Sequence, residues 1–515
     1  MNRTAEPTSA DPWRPNALLS LGFFKFAFHI AVAAFGAYGY FRDEFYYLAC
    51  SEHLDWGYVD HPPFSIALLA INRAILGDSL VALRFLPALA GALTVYLAGV
   101  TAREMGGGRF AQILAALATL CAPILLGMNS IYSMNSFEFL VWISSALLLI
   151  KIVKSPAPRF WILLGVVLGI GLMNKVGVLW LCSGIAVSMA VPPLRAHLKT
   201  RWPWIAAGLA LLIFSPFILW NIAHDFPHAE FIRNATSGKY SSLTPIRFLA
   251  DQVLLQNPLS FPLWLGGLWH FLFGRGRNHR ALGIVYATAL AVLLINQHSK
   301  GEYLAPAYPM LFAGGAIWAE SALRHAARLW KPALAVALAV SGILLAPFAV
   351  PVLPVERYIA YARMLGVAPA TAETKELSEL PQFFADMHGW EELTEAVASV
   401  YATLPAEDKK DCIIYAQNYG EAASINFFGR KLGLPPAVTG HNTYHLWGPG
   451  RDSARVVIIV GGDREDHLRG FEEVEEIARS RCRYCMPYEN NLPIYVARTF
   501  RRPLAELWPL TKHYE

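Results

Sequence analysis

Stretches of about 20 apolar residues recur from Leu18 to about Val352, each long enough to cross a hydrocarbon core roughly 30 Å thick. Few folds remain open to such a chain. In lipid every backbone polar group must find its partner within the protein, so the spans must be helices or a closed barrel, and runs of this length read as helices. Hydropathy predicts about eleven of them, near 17–40, 80–101, 110–127, 134–151, 160–173, 176–192, 203–222, 246–272, 281–296, 303–323 and 332–353. Charged residues make up 16% of the chain, below the roughly 25% of soluble domains, which excludes an ordinary soluble protein. The first apolar stretch lacks a small-residue cleavage site and reads as a retained helix, not a removed signal.

Loop charges orient the spans. One set of alternate loops holds Arg103 and Arg109, then Lys151, Lys154 and Arg159, then Arg195, Lys199 and Arg201, then Arg275, Arg277 and Arg280, and finally Arg324, Arg328 and Lys331. The opposite set holds Asp43, Glu44, Glu52, Asp55, Asp60, Asp78, Asp225, Glu230 and Glu302. The positive-inside rule makes the first set cytoplasmic. The first loop and the C-terminal segment are then expected outside, facing the periplasm if the membrane is a bacterial inner membrane. Basic residues are dispersed rather than clustered with aromatics, so no nucleic-acid partner is expected.

Composition shifts after about Pro354, where charges become frequent and apolar runs shorten. Cys412–Tyr415, Val456–Val460 and Pro493–Val496 read as strands, and Glu421–Lys431 and Asp463–Ser480 as helices between them. The expected organisation is a disordered cytoplasmic tail over 1–16, a membrane domain over 17–353 and a small extracytoplasmic α/β domain over 354–515.

Ionisable residues concentrate in the first loop, as Phe41-Arg42-Asp43-Glu44-Phe45-Tyr46-Tyr47 and then Asp60-His61-Pro62-Pro63. A partly buried carboxylate at a membrane surface can serve as a general base. The Pro-Pro corner fixes where Asp60 and the titratable His61 point. A solvated helix end and a simple turn would also account for these residues. Lys175 follows Asn174 between two spans with almost no loop, so it either meets an anion or snorkels. Lys300 stands at the entrance of a helix, where anions are favoured, with Tyr303 on the same rim. An interfacial aromatic belt would explain that segment equally. Glu138, Arg233 and Lys239 add polar groups on the same face.

Of the six cysteines, Cys482 and Cys485 could pair with each other, or one of them with Cys412, in an oxidising compartment. No cofactor is expected. A divalent cation beside the loop carboxylates stays open, because they are too few and too loosely spaced to define a site.

These motifs together resemble the GT-C glycosyltransferases of family 39. The resemblance rests on the Asp43-Glu44 pair after the first span, an acid before Pro62-Pro63, the break at Asn174-Lys175, and Lys300-Gly301-Glu302-Tyr303-Leu304-Ala305-Pro306-Ala307-Tyr308-Pro309. It extends to Tyr132–Glu138, to Asn418-Tyr419-Gly420-Glu421 and to His441–Pro449. It implies a GT-C fold, a polyprenyl-phosphate sugar donor, a lipid or protein acceptor on the outer face, and transfer with inversion. It also implies Asp43 as the base that deprotonates the acceptor, with Asp60 supporting it and Glu44 beside it. The aminoarabinose transferases of this family carry Glu-Lys before the Pro-Pro where this chain has Asp60-His61. The donor phosphate is therefore expected to fall to His61, Lys175 or Lys300, with Tyr303, Arg233 and Glu138 around the substrate. A transporter or flippase is the alternative, although its charges would gather at the bilayer midplane in repeated halves.

Overall fold

The computed structural model describes residues 15–155, 157–239, 243–296, 299–371, 373, 375–451 and 454–515. Most of the tail expected over 1–16 lies outside these residues, and the first helix already begins at Pro15, running to Phe35.

Six helices among the described residues are long and apolar enough to span a membrane: Pro15–Phe35, Leu80–Glu104, Met134–Lys154, Trp202–Ala223, Arg277–Ile295 and Trp330–Ala349. Shorter apolar helices stand at Phe64–Leu76, Arg109–Leu120, Pro158–Asn174 and Val178–Ser188. Several of the eleven expected spans are thus not continuous. The stretch 246–272 breaks after Leu255, where Asn257 adopts a left-handed φ of 71° and its side chain accepts from the Leu259 amide. The stretch 303–323 opens as a 3-10 turn, Gly301–Ala307, before the helix Tyr308–Ala322. Hydropathy detects burial in an apolar medium and is blind to such breaks when the residues on both sides are apolar. Phe23, Phe24, Leu212, Ile343 and Leu344 point outward from the long helices, as lipid contact requires.

Beyond Pro354 the chain builds a five-stranded sheet in the order β2-β1-β3-β5-β4, with β1 Cys412–Tyr415, β2 Ala437–Val438, β3 Val456–Val460, β4 Phe471–Ser480 and β5 Leu492–Phe500. β1 runs parallel to β2 and β3, and β5 pairs antiparallel with β3 and β4. The helix expected over Asp463–Ser480 is corrected to one short turn, Arg464–His467, followed by the edge strand β4. Its glutamates suggested a helix, yet β4 is an edge strand paired on one side only, and charged side chains there discourage further pairing. Tertiary pairing with the apolar β5 outweighs local propensity.

One hydrophobic core joins the first loop to this sheet. Phe45, Tyr46, Leu48 and Tyr58 of the loop are buried in the same cluster as Trp390, Tyr419, Ala422, Ile414, Ile458 and Ile494. The loop is thus packed into a shared interior with the sheet.

Candidate active site

The helix Arg42–Glu52 positions the first acids. Phe41 precedes it in extended conformation, and the Glu44 carboxylate reaches back to accept the Phe41 amide at 2.8 Å, which satisfies an otherwise orphaned donor at the helix start. Glu44 is completely buried. Its oxygens also accept from Arg84 Nε at 3.0 Å, Arg84 Nη2 at 2.8 Å and the Tyr132 amide at 2.7 Å. This carboxylate is fully engaged, so the expectation of a catalytic Glu44 is corrected to a structural ion pair.

Asp43 points elsewhere. Its side chain is 36% exposed, and its Oδ1 accepts from the Tyr419 hydroxyl at 2.9 Å and from Arg42 Nε at 3.3 Å. Among the described residues Oδ2 accepts no hydrogen bond. Asp60 Oδ1 accepts from the Tyr46 hydroxyl at 2.8 Å. Tyr46 stacks 4.7 Å from Tyr419, so the tyrosines link the two acids.

The remaining expected residues divide. His61 is sealed: fully buried, with Nδ1 3.0 Å from the Pro62 carbonyl and its ring packed 5.0 Å from both Tyr47 and Tyr58. It is not among the residues that line the polar cavity described below. Lys175 donates to Glu138 at 2.8 Å and to Asn135 at 2.7 Å, and lies 5.3 Å from the Tyr303 ring. Lys175, Glu138 and Tyr303 do come together, but as a neutralised cluster in which the lysine's charge is already spent. Arg233 is exposed on the helix Pro227–Asn234, whose last residue meets the Tyr514 carbonyl.

Lys300 lies within electrostatic reach of Lys239 and Glu373. This places it toward a polar cavity of about 330 Å³ between the first loop and the sheet, lined by Arg42, Lys239, Glu373, Tyr419, His441 and Tyr488 among others. Arg42 is buried at its wall, donating to the Tyr488 hydroxyl at 2.8 Å, with Asp386 3.6 Å and Glu373 3.9 Å away. Burial resists ionisation of Glu373, but Arg42, Lys239 and Lys300 outweigh it and hold the carboxyl down at about 2. Burial pulls Lys239 below the ordinary lysine value, partly offset by Glu373. Lys239 Nζ donates to the Glu515 main-chain oxygen at 3.3 Å, with no Asp or Glu side-chain carboxylate in ion-pair range among the described residues. The cavity therefore presents cations that its own acids only partly neutralise.

Burial also raises Glu421 well above the carboxylate range and pushes its neighbour Glu489 up from its ordinary value. Sequence reasoning named Lys239 only as a polar group on the outer face, met Arg42 and Tyr419 only as members of motifs, and passed over Glu373. The adjacency of Arg42 to Asp43 and the Asn418–Glu421 motif were the available signals. No three His, Cys, Asp or Glu side chains converge on a metal position among the described residues. All six cysteines are free, and Cys482 Sγ instead accepts the Cys485 amide at 3.1 Å.

Residues 60–220 match the family model of dolichyl-phosphate-mannose-protein mannosyltransferases. The chain is 23% identical to the lipid A galacturonosyltransferase RgtD of Rhizobium johnstonii over 335 residues, 64% of this chain and 69% of that protein. It is 26% identical to the undecaprenyl phosphate-alpha-4-amino-4-deoxy-L-arabinose arabinosyl transferase 2 of Pseudomonas fluorescens, over 44% of each chain, so it aligns with less than half of that relative. The crystal structure of ArnT from Cupriavidus metallidurans bound to undecaprenyl phosphate superposes with a TM-score of 0.59 at 16% identity, covering 93% of this chain and 97% of that one. Fold and site thus define a multi-pass membrane protein of GT-C architecture. Within that class the chain is a glycosyltransferase.

Proposed function

We propose that this glycosyltransferase moves a sugar from a polyprenyl-phosphate carrier to a hydroxyl or amine acceptor on the periplasmic face of a bacterial inner membrane, with Asp43 as general base. The acceptor is a lipid A, another envelope glycan or a protein. The observation that carries this reading is the half-engaged Asp43 carboxylate beside an incompletely neutralised cationic cavity. The acceptor oxygen or nitrogen bonds to the anomeric carbon while its proton passes to Asp43 Oδ2. The bond from that carbon to the phosphate oxygen breaks, its electron pair leaves with the phosphate, and the centre inverts. Charge growing on the leaving phosphate needs preorganised cations, and Lys239, Lys300 and Arg42 supply them. This assignment shifts the phosphate contact away from His61, which is fully buried, and from Lys175, which is paired with Glu138. Asp60 supports the site through Tyr46. The relatives' names support a carrier of this kind. The loop-charge asymmetry supports the orientation, with residues from 354 onward as an extracytoplasmic domain.

The test uses full-length protein in liposomes with radiolabelled undecaprenyl-phosphate donors carrying aminoarabinose, galacturonate, mannose or arabinose, and extracted lipid A or envelope glycan as acceptor. Asp43→Asn should reduce transfer on the order of 10³-fold while binding of undecaprenyl phosphate persists. Full transfer by that variant would sink the mechanism. A tag at residue 515 that reports the cytoplasm would overturn the orientation.

A further inference from the structure

The catalytic loop and the sheet domain meet at a defined corner. The helix Tyr419–Phe428, which follows β1, packs on the Ile414 and Ile458 face of the sheet. The segment after β3 packs through Leu468 on the opposite face, against Ile413 and Val457. Adjacent parallel strands that send their chains to opposite faces leave a crevice at their carboxyl ends, where open α/β sheets bind ligands. Here that crevice is turned toward Asp43, and Tyr419 projects from it.

The corner is firmly built. The Asn418 side chain accepts the Glu421 amide at 3.1 Å, and the Glu421 carboxylate accepts the Gln417 amide at 2.9 Å. The Tyr419 ring lies 4.6 Å from His441 and 5.7 Å from the Arg42 guanidinium, with only 7% of the residue exposed. Burial keeps its phenol protonated, so it donates and Asp43 accepts. A second contact repeats the arrangement at the other acid. Tyr46 has one hydroxyl proton, given to the acceptor-only Asp60, so the Thr443 hydroxyl 2.7 Å away donates to Tyr46 while accepting the Val59 amide at 3.0 Å.

Building on Asp43 as base, we propose that Tyr419 is a positioning residue contributed by the α/β domain: with Arg42 it occupies Oδ1, leaving Oδ2 to take the acceptor's proton. Such a residue touches neither sugar nor phosphate. It fixes the orientation of the base and stabilises its charged form, as hydrogen bonds to a carboxylate do.

The experiment compares Tyr419→Phe, Asp43→Asn and the double variant in liposomes, using whichever labelled undecaprenyl-phosphate sugar the unmodified protein consumes fastest. Tyr419→Phe should lower kcat roughly tenfold, leave donor KM within about twofold, and move the acid limb of the rate–pH profile to higher pH. Adding it to Asp43→Asn should cost nothing further. Replacing Tyr419 by 3-fluorotyrosine, a stronger donor of nearly the same size, should move the acid limb the other way even if the phenylalanine variant folds poorly. If Asp43→Asn cuts transfer on the order of 10³-fold but neither Tyr419 change moves the profile, this inference fails and the base assignment stands. If Asp43→Asn transfers normally, both fail together.

Discussion

Asp43 and Glu44 are neighbours in sequence and opposites in structure. Each sits beside an arginine at the start of one helix. Glu44 and Arg84 form a closed pair, with 0% and 3% of their side chains exposed and both carboxylate oxygens in use. Asp43 and Arg42 form an open pair, with one oxygen held, a third of the carboxylate side chain exposed, and the arginine shared among Asp386, Glu373 and Tyr488. A buried charge whose every lone pair is satisfied holds a fold together but has nothing left with which to react. The same contrast separates the two lysines: Lys175 is paired with the Glu138 side chain, while Lys239 faces a cavity with no Asp or Glu side chain in ion-pair range among the described residues.

The largest effects come from breaking each pair at its acid. Asp43→Asn should reduce transfer on the order of 10³-fold, the scale of a lost general base, with the melting temperature in detergent almost unchanged. Glu44→Gln should do the reverse: it strands Arg84 in the interior and costs about 3–5 kcal/mol, read as lost folded protein on size exclusion. If the folded fraction of Glu44→Gln were as active as wild type and as stable, the closed-pair description would be wrong.

The lysines should separate next. Lys239→Met should raise donor KM by about tenfold, the worth of one charge-assisted hydrogen bond, whereas Lys175→Met should lower stability by leaving Glu138 unpaired and spare KM. The pH dependence sharpens this. Burial lowers Lys239, so its charge is lost as pH rises through a value below the ordinary lysine range. kcat/KM for the donor should therefore fall earlier on the alkaline side than an exposed lysine would allow. Lys239→Arg, always charged, should push that limb to higher pH. Unchanged alkaline behaviour in the arginine variant would remove Lys239 from the phosphate site.

The membrane-spanning character was legible because hydrophobicity is a local property, and so were the buried strands Cys412–Tyr415 and Val456–Val460 with their continuous apolar runs. Pairing was not legible. Nothing near Glu44 in sequence announces Arg84, forty residues away on another helix, and Lys175 meets its acid 37 positions upstream. His61 looked available because it is titratable and sits beside Asp60 at a proline corner, yet the aromatic side chains of Tyr47 and Tyr58 close over it. β4 was misread because its glutamates carry helix propensity, whereas its strand partner lies in a segment further along the chain. Tyr419 was visible within a motif but could be assigned a task only once the fold brought it to Asp43, 376 positions away.

The smallest predicted effect concerns Asp386, which stands between the two kinds of pair. Its carbonyl accepts the Arg42 amide at 3.0 Å, and its carboxyl lies 3.6 Å from the Arg42 guanidinium yet is 99% buried. Burial outweighs the arginine and raises this carboxyl to about 7. The unfolded chain ionises it near pH 4. Between about pH 4 and 7 the native state therefore holds a proton that the unfolded state has released, so stability falls as pH rises through that window and levels off above it. Asp386→Asn keeps the shape and the carbonyl but has no proton to lose. Its melting temperature should decline less than that of wild type between about pH 5 and 7, by a few degrees, while transfer changes by less than about threefold. A larger change in donor KM would place Asp386 with the open pair, because it would mean that Arg42 depends on this carboxylate for its place in the cavity wall.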